Sequence, residues 1–388
     1  MQSFEVPQGM RDILTEESGR RTILQERLQH YMHSCGFGRV ETPLFEYYEL
    51  FSGGISPVDD ESIVKTIDRD GRVVVLRPDM TIPTARVAST KLKGQRKPLK
   101  LFYAGNVYRA DKKNRGAGRE FCQVGAEIYG CPSKWLDIET LTMAKESFRV
   151  AGIADYKIDI GHVGIIKGIF EEIDLPEEKK SHIISLISEK NLVELENEVS
   201  ALPIDSGSKE IICRLPCLFG KPEDVFKGMD EITVNKTVKE SVEYLLQIYG
   251  KCKDLGLGPN IIIDAGMTGN MKYYTGLIFK AYARGAGDVV ISGGRYDGLL
   301  KEMGSDAAAS GFAIYIDNML EAVTEEFQEH RERKILVIFS ESRFIEALRY
   351  SEGRRKTGAA VNMVNNGEIS DPEQYRRQYD CSEVVIFD

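Results

Sequence analysis

The sequence predicts an α+β fold in which two sheet-rich parts flank a helical segment and a small α/β unit follows. Two strand-like runs joined by a basic loop occupy about residues 100–129. From about residue 166 to 255 the apolar periodicity is mostly helical, and its clearest stripe steps by four and three through Val238, Val242, Leu245, Tyr249 and Cys252. From residue 334 onward strands alternate with helical stretches, which is typical of an α/β unit.

Composition bounds the kind of protein and its partners. The 388 residues are 42% hydrophobic and 29% charged, which fits two or three globular domains. A net charge of -9 argues against broad, nonspecific binding of nucleic acid. The N-terminus lacks a basic region followed by an apolar run, and no apolar stretch approaches ~20 residues, so we expect neither a secretory signal nor a membrane span.

Cysteine usage indicates a reducing compartment. The seven cysteines are odd in number and scattered, which fits free thiols in the cytoplasm. Cys213 and Cys217 have neither a second ligand pair nor a nearby histidine. We therefore expect a cytoplasmic protein without a metal ion or another cofactor.

Local patterns predict the order of elements. Helices are expected over about residues 15–34, 81–91, 136–150 and 317–330, besides those of the 166–255 insertion. Strands are expected over residues 40–45 (interrupted by Pro43), 63–67, 73–79, 157–161, 261–264, 273–282, 288–293, 311–316, 334–339, 359–364 and 383–387.

The strand pair at residues 100–109 and 119–129 has the most informative pattern. Alternation divides the second strand into an apolar face, which carries Cys122, Val124, Ala126 and Ile128, and an unlike face. That second face carries Arg119, Phe121, Gln123, Gly125 and Glu127. A polar face is either solvated or lines a pocket. The flanking apolar runs place the pair inside a large sheet and favour a pocket.

Three further stretches accompany this strand pair: residues 76–81, Tyr273-Tyr274-Thr275-Gly276, and Gly293-Gly294-Arg295-Tyr296-Asp297-Gly298. Singly, each has a structural explanation. The tyrosines fit strand packing, and the paired glycines fit a tight turn or a bulge. Their occurrence together and in this order indicates a shared function.

Together these motifs resemble the histidyl-tRNA synthetase family of class II synthetases over about residues 1–330. Residues 42–51 are similar to motif 1, which builds the dimer interface, and residues 109–127 are similar to motif 2. Residues 273–274 and 293–299 resemble the two histidine-specific signatures. The resemblance implies a class II antiparallel sheet flanked by helices, with a helical insertion at about 166–255 and a small C-terminal α/β domain at 331–388.

The resemblance also implies a pocket for free histidine. Glu127 and Tyr274 would hold the imidazole, and Tyr273 and Tyr296 would close around it. This assignment is chemically sensible, because an imidazole needs an acceptor for its N–H and a polar partner for its other nitrogen.

At the other end of the ligand, the resemblance assigns Asp79, Thr81 and Gln123 to the α-amino group and Arg109 to the carboxylate. An ammonium needs acceptors, and a carboxylate suits the guanidinium fork. Asp79 stands where the family usually has Glu, and its shorter reach is expected to change affinity.

The residues that would activate histidine are incomplete. The family's catalytic Arg, five residues before the second Tyr of the pair, is Gly269 here, and the Arg that ends motif 3 is Asn318. An Arg of the motif 2 loop is Ala117. Losing one donor that stabilises transition-state charge costs ~10²–10³ in rate. Three losses should abolish activation, although such effects are not additive.

A chain that keeps a histidine pocket but loses activation resembles the regulatory subunits of ATP phosphoribosyltransferase. The resemblance implies a non-catalytic protein that assembles with the short-form catalytic subunit of that glycosyltransferase, as a homodimer within a hetero-oligomer. It also implies feedback inhibition by histidine in the first step of histidine biosynthesis. Residues 331–388 carry ten basic and ten acidic residues, so we expect no tRNA binding.

Two alternatives remain at this point. The first is a degenerate but active histidyl-tRNA synthetase, which histidine-dependent pyrophosphate exchange with ATP would establish. The second is a stand-alone pseudo-synthetase that binds histidine to signal elsewhere. Co-purification with a short phosphoribosyltransferase chain, or its absence, distinguishes the second from a regulatory subunit.

Overall fold

The computed structural model describes residues 5–52, 56, 58–110, 120–130, 132–269, 273–324, 334–369 and 371–388. The chain divides into two compact units, Met1–Glu325 and Glu326–Asp388. Among the described residues, no helix has both the length and the apolar character needed to cross a bilayer.

The helices and strands follow one another in mixed order. The helices are α1 (Thr15–Ser34), α2 (Thr81–Ser89), α3 (Lys134–Val150), α4 (Val163–Glu171), α5 (Glu177–Ser188), α6 (Leu192–Ser200), α7 (Ser206–Arg214), α8 (Pro222–Met229), α9 (Lys236–Asp254), α10 (Asp297–Glu302), α11 (Ile316–Ala322), α12 (Phe344–Arg355) and α13 (Pro372–Gln378). The strands are β1 (Gly38–Arg39), β2 (Phe45–Tyr47), β3 (Lys65–Ile67), β4 (Val73–Leu76), β5 (Leu99–Tyr108), β6 (Glu120–Tyr129), β7 (Tyr156–His162), β8 (Phe219–Gly220), β9 (Ile261–Asp264), β10 (Leu277–Ala283), β11 (Ile291–Arg295), β12 (Ala309–Tyr315), β13 (Lys334–Phe339), β14 (Ala360–Asn365) and β15 (Glu383–Phe387).

A large sheet organises the first unit. Within the described residues it has nine strands in the order β1-β5-β6-β12-β11-β10-β7-β9-β8. The six consecutive strands from β5 to β7 in this order are antiparallel, whereas β1 and β9 are added in parallel. The predicted α+β fold with a large antiparallel sheet is confirmed.

Helices α1 and α3 cover one face of this sheet. Gln25 of α1 contacts the Sγ atom of Cys122 on β6 at 3.3 Å, and Thr140 of α3 contacts the hydroxyl of Ser310 on β12 at 3.4 Å. Cys122 and Ser310 are buried. Because side chains alternate along a strand, the neighbours Gln123 and Gly311 face the opposite side of the sheet.

The predicted strand over residues 40–45 is wrong. Only Gly38–Arg39 pairs with β5, and a separate strand begins at Phe45. The guanidinium of Arg77 explains the interruption, because its Nη1 donates to the carbonyl oxygens of Thr42 at 2.7 Å and Pro43 at 3.3 Å. Those carbonyls are therefore used by a side chain rather than by a neighbouring strand, and Pro43 has no N–H to offer.

Two further boundaries differ from prediction. The strand expected from residue 273 begins at Leu277, because the hydrogen bonds of the preceding residues depart from the regular strand register. The carbonyl of Tyr274 accepts from Lys167, and the amide of Thr275 donates to Arg295. The helix expected over 317–330 ends at Ala322, where Val323 is extended, and residues 325–330 lie outside the described residues.

The helical insertion extends from α4 to α9. The longest of these helices, α9, begins where the side chain of Asn235 accepts from the amide of Val238 at 3.0 Å. It buries a stripe at helical spacing that includes Val238, Val242, Leu245 and Cys252, as the periodicity predicts. Ile248 is buried there as well, whereas the predicted Tyr249 is only half-buried.

The second unit is a small α/β fold. Its described strands form a parallel sheet in the order β14-β13-β15. The central strand is apolar on both faces, with one cluster around Leu336 and Ile338 and another around Ile335 and Val337. A strand buried on both faces is expected for a parallel sheet.

Candidate ligand-binding site

A chamber opens on the sheet face that carries Gln123 and Gly311, and Glu17 and Arg20 near the N-terminal end of α1 also line it. Its volume is about 820 Å³, within the range of small-molecule sites. The lining includes all eight residues that the sequence predicts for the site, namely Asp79, Thr81, Arg109, Gln123, Glu127, Tyr273, Tyr274 and Tyr296. Strand register explains part of this convergence, because Gln123 and Glu127 alternate onto one face of β6.

Glu127 lies at the bottom of the chamber and is 1% exposed. Its Oε2 accepts a hydrogen bond from the hydroxyl of Tyr296, and its Oε1 accepts one at 3.2 Å from the hydroxyl of Tyr103. Burial raises the pKa of Glu127 to about 8, and the tyrosine hydrogen bonds only partly offset this rise. The carboxyl group is therefore mostly protonated at neutral pH when the chamber holds no ligand.

The backbone of β12 makes room for this carboxyl group. Gly311 lies directly opposite Glu127 in the β6–β12 pairing. A side chain at position 311 would collide with the Glu127 carboxylate. The absence of a Cβ at this position therefore allows the carboxylate to lie across the sheet.

Two buried acceptors face the chamber without a partner among the described residues. They are Oδ2 of Asp79 and Oε1 of Gln123. Asp79 is anchored through its other oxygen, which accepts from the amide of Ile82 at 2.9 Å in the first turn of α2. Burial raises the pKa of Asp79, while Arg109 and the backbone amides oppose the rise. Buried acceptors normally have donors, so this pair indicates a ligand that donates.

Thr81 and Arg109 border these acceptors. The hydroxyl of Thr81 lies 3.4 Å from the hydroxyl of Tyr103. Nε of Arg109 donates to the carbonyl of Pro78 at 2.8 Å, and the guanidinium lies 5.1 Å from the ring centroid of Phe121. These contacts orient the guanidinium at the chamber, where its amino groups suit an anion.

Three tyrosines form an aromatic wall, the name used below for Tyr273, Tyr274 and Tyr296. The rings of Tyr273 and Tyr296 are stacked, with centroids 5.1 Å apart. Tyr274 meets Tyr273 edge to face at 4.7 Å. This arrangement fits an aromatic or heteroaromatic ligand, because ring pairs of both geometries are favourable.

Tyr103 is a site residue that the sequence analysis missed. Its ring is fully buried, and its hydroxyl contacts both Glu127 and Thr81. The alternation along β5 carries the signal, because counting back from Arg109 in steps of two reaches Tyr103 on the same face.

Two of the positions at which the resemblance expects a cation have structural uses. A side chain at Gly269 would collide with the rings and methyl groups of Tyr274 and Ile278. Asn318 donates through Nδ2 to the carbonyl of Val289 at 2.7 Å. The third position, Ala117, lies outside the described residues. Within the described part of the chain, no cluster of three His, Cys, Asp or Glu side chains could hold a metal ion.

Comparisons with known proteins identify the family. The profile of histidyl-tRNA synthetase matches residues 9–319. ATP phosphoribosyltransferase regulatory subunits of Bacillus licheniformis and Clostridium acetobutylicum are each 36% identical, and the alignments cover 97% and 94% of this chain and 95% and 90% of theirs. A crystal structure from Bacillus halodurans, described as an ATP phosphoribosyltransferase regulatory subunit/histidyl-tRNA synthetase, superposes with a TM-score of 0.87 at 29% identity, covering 99% of this chain and 98% of that one. The chain therefore belongs to the ATP phosphoribosyltransferase regulatory subunits, a family built on the histidyl-tRNA synthetase fold.

Proposed function

We propose that this chain is a non-catalytic histidine sensor, which confers feedback inhibition on a short-form ATP phosphoribosyltransferase catalytic subunit in the first step of histidine biosynthesis. The observation that carries the proposal is the joint presence of a buried carboxyl group beneath an aromatic wall and two unpartnered buried acceptors. Free histidine combines the two groups that such a chamber selects, an imidazole and an ammonium.

The ammonium group would lie between Oδ2 of Asp79 and Oε1 of Gln123. Both atoms are buried and lack a donor among the described residues. An unsatisfied buried acceptor costs ~1–3 kcal/mol, so a ligand that supplies the missing donors binds with a corresponding gain. The hydroxyl of Thr81 would complete this end of the site, and the guanidinium of Arg109 would meet the ligand's carboxylate.

The imidazole would lie against the aromatic wall, with one nitrogen at Glu127. A pKa of about 8 makes Glu127 a proton donor at neutral pH. A neutral imidazole, whose pKa of about 6.5 is the lower of the two, accepts a hydrogen bond from that carboxyl group through its unprotonated nitrogen, so that the pair shares one proton. Other amino acids lack the basic ring nitrogen, so this hydrogen bond distinguishes histidine from them.

The residues at the cationic positions support a non-catalytic role. Adenylate formation develops negative charge on the α-phosphate, which must be met by fixed donors or cations. Gly269 supplies no cation, and its lack of a side chain accommodates Tyr274 and Ile278. Asn318 is neutral and is engaged with Val289. We therefore infer a receptor for histidine rather than an activating enzyme.

A homodimer is supported by exposed apolar residues on the small sheet formed by β2, β4 and β3. Phe45 is 50% exposed and Tyr47 is 45% exposed. Both side chains lie on the same face of β2, because residues two apart in a strand share a face, and together they form an apolar surface. Grouped apolar exposure of this kind is typical of protein–protein interfaces. We propose that this sheet joins two copies inside the hetero-oligomer.

The experiment that tests the sensor function is calorimetric titration of histidine into the purified chain and into its complex with the short-form catalytic subunit. Glu127→Gln should weaken histidine binding about 10- to 100-fold, since an amide cannot share a proton with the ring nitrogen and a buried group left without its hydrogen bond costs ~1–3 kcal/mol. Glu139→Gln, which removes an ion pair with Lys100 away from the chamber, is the matched control.

The outcomes separate the candidate functions. Absence of histidine binding by the assembled complex would refute the sensor function. Histidine-dependent pyrophosphate exchange with ATP would instead identify an active synthetase. Histidine binding without co-purification of a phosphoribosyltransferase chain would point to a stand-alone receptor.

A further inference from the structure

The helical insertion bonds directly to the backbone of the aromatic wall. The amide of Val163, the first residue of α4, donates to the carbonyl of Gly276 at 3.1 Å. One helical turn later, Nζ of Lys167 donates to the carbonyl of Tyr274 at 2.9 Å. Residues four apart lie on the same face of a helix. The first turns of α4 therefore bond to two alternate carbonyls of the segment that carries Tyr274, one through a backbone amide and one through the Lys167 side chain.

The environment of Lys167 shows that this bond is its principal interaction. Lys167 is half-buried, and burial lowers the pKa of its ammonium group. Among the described residues, no carboxylate offsets this shift. A half-buried ammonium needs acceptors, and a bond between a charged donor and a carbonyl is stronger than a neutral one.

The bonded segment leads to the base of the chamber through ring contacts. Tyr274 meets Tyr273 edge to face, and Tyr273 stacks on Tyr296. The hydroxyl of Tyr296 donates to Glu127. Displacement of the Tyr274 backbone would therefore change the space in which an imidazole lies.

A second connection from the insertion reaches the other side of the wall. The hydroxyl of Tyr244 on α9 donates to the buried carboxylate of Asp137, which also lies 3.4 Å from the Arg295 guanidinium. Arg295 directly precedes Tyr296, and its carbonyl accepts from the amide of Thr275 at 2.8 Å. The insertion thus bonds to the backbone carbonyl of Tyr274 and, through the carboxylate of Asp137, is linked to the Arg295 side chain next to Tyr296.

We propose that Lys167 is a positioning residue for the histidine site, through which the helical insertion sets the affinity for the imidazole. The proposal rests on the histidine-binding function proposed above. It adds that the insertion controls the site, although Lys167 does not line the chamber. The coupling acts over a short distance. The ammonium group of Lys167 fixes the backbone carbonyl of Tyr274, and the position of this backbone determines the position of the Tyr274 ring.

The test compares three variants in the complex with the catalytic subunit. Lys167→Met removes the donor but keeps the aliphatic stem, and it should weaken histidine binding about tenfold. Lys167→Arg retains a charged donor and should restore affinity to within about twofold of wild type. Lys157→Met is the matched control, because Nζ of Lys157 also donates to a carbonyl, that of Pro259 at 2.8 Å, outside the chamber. It should leave histidine affinity unchanged.

Two further readouts separate positioning from a general loss of stability. Histidinol shares the imidazole and lacks the carboxylate, so Lys167→Met should weaken histidine and histidinol by the same factor. Amide hydrogen exchange at Thr275 in the ligand-free chain should be faster in Lys167→Met than in Lys157→Met, at matched thermal stability.

Each outcome has a definite meaning. Unchanged histidine affinity in Lys167→Met, with wild-type binding intact, overturns the inference and leaves the sensor function standing. If Lys167→Met weakens the binding of histidine but not that of histidinol, the effect lies at the carboxylate end of the ligand. This result also overturns the inference. Absence of binding by the wild-type complex refutes the sensor function and the inference with it.

Discussion

Glu127 illustrates how burial changes the chemistry of a residue. A carboxyl group in water has a pKa of about 4.3, whereas burial raises the pKa of Glu127 to about 8. The folded chain therefore prefers the protonated form. Because the pKa is higher in the folded state than in the unfolded state, the contribution of this group to stability is complete below pH ~4.3 and is lost as the pH rises through about 8.

This shift predicts the pH dependence of stability without ligand. Between pH 5 and 8 the free energy of unfolding should fall as the pH rises, and Glu127→Gln should remove part of that slope because glutamine does not titrate. Urea unfolding at several pH values measures both quantities. Glu139→Gln, which removes a partly exposed carboxyl group outside the chamber, is the matched control. An identical slope in Glu127→Gln and wild type would contradict the assigned pKa.

The same pKa predicts a bell-shaped pH dependence of histidine affinity. The bound pair of Glu127 and imidazole holds one proton, whereas free imidazole has a pKa of about 6.5. Below pH ~6.5 binding must release a proton, and above about 8 it must take one up. Affinity should therefore be highest between these values. Calorimetry in buffers of different ionisation enthalpy checks the sign of proton exchange, and an affinity that keeps rising to pH 8.5 would disprove the shared proton.

At the scale of elements, strand β12 contributes to the site through Gly311, a residue without a side chain. Gly311 faces the Glu127 carboxylate, and a Cβ there would displace it. In contrast, Gly250 lies inside α9, and a Cβ there would meet no atom within 4 Å. An alanine at position 311 should therefore disturb the site, whereas an alanine at position 250 has free space.

We expect Gly311→Ala to destabilise the chain and to weaken histidine binding by more than about tenfold, because the carboxylate must move. Gly250→Ala should raise stability by ~0.5–1 kcal/mol, since alanine is favoured over glycine inside a helix. It should leave histidine affinity unchanged. Thermal unfolding and calorimetry measure both effects. Equal histidine affinity in Gly311→Ala and wild type would show that the contact with Glu127 is unimportant.

The helical insertion is a second element that forms contacts outside its own apolar core. Its helices bury their own apolar stripes, and α4 also bonds to the Tyr274 and Gly276 carbonyls. An element that contributes no side chain to the aromatic wall thereby determines where the wall lies. The positioning role proposed for Lys167 is an instance of this arrangement.

For the whole molecule, the proposed dimer predicts a change of mass. Phe45→Asp together with Tyr47→Asp places two charges on one face of the small sheet and should shift the purified chain toward the monomer in light scattering. Val193→Asp on α6 is the control, because Val193 is 73% exposed but lies on the insertion. Its mass should equal that of wild type. A dimer that persists in the double variant would place the interface elsewhere.

Much of the architecture was predictable because its signals are local. Alternation separated the Gln123 and Glu127 face from the Cys122 face, and helical periodicity located the insertion and α9. The predicted strand boundaries were wrong where a side chain far away in the chain forms hydrogen bonds with the backbone. The Arg77 side chain donates hydrogen bonds to the carbonyls of Thr42 and Pro43, and the Lys167 side chain donates one to the carbonyl of Tyr274.

The sequence by itself determined which residue types the site contains and which side chains share a face of a strand. Both depend only on the order of neighbouring residues in the chain. Only the tertiary structure decided which of these groups meet and in what state. The register of β12 opposite β6 places Gly311 beneath Glu127, and burial then raises the pKa of that carboxyl group. Burial likewise leaves acceptors of Asp79 and Gln123 unpartnered among the described residues. Register and burial arise from contacts between residues far apart in the chain, and a local pattern does not contain them.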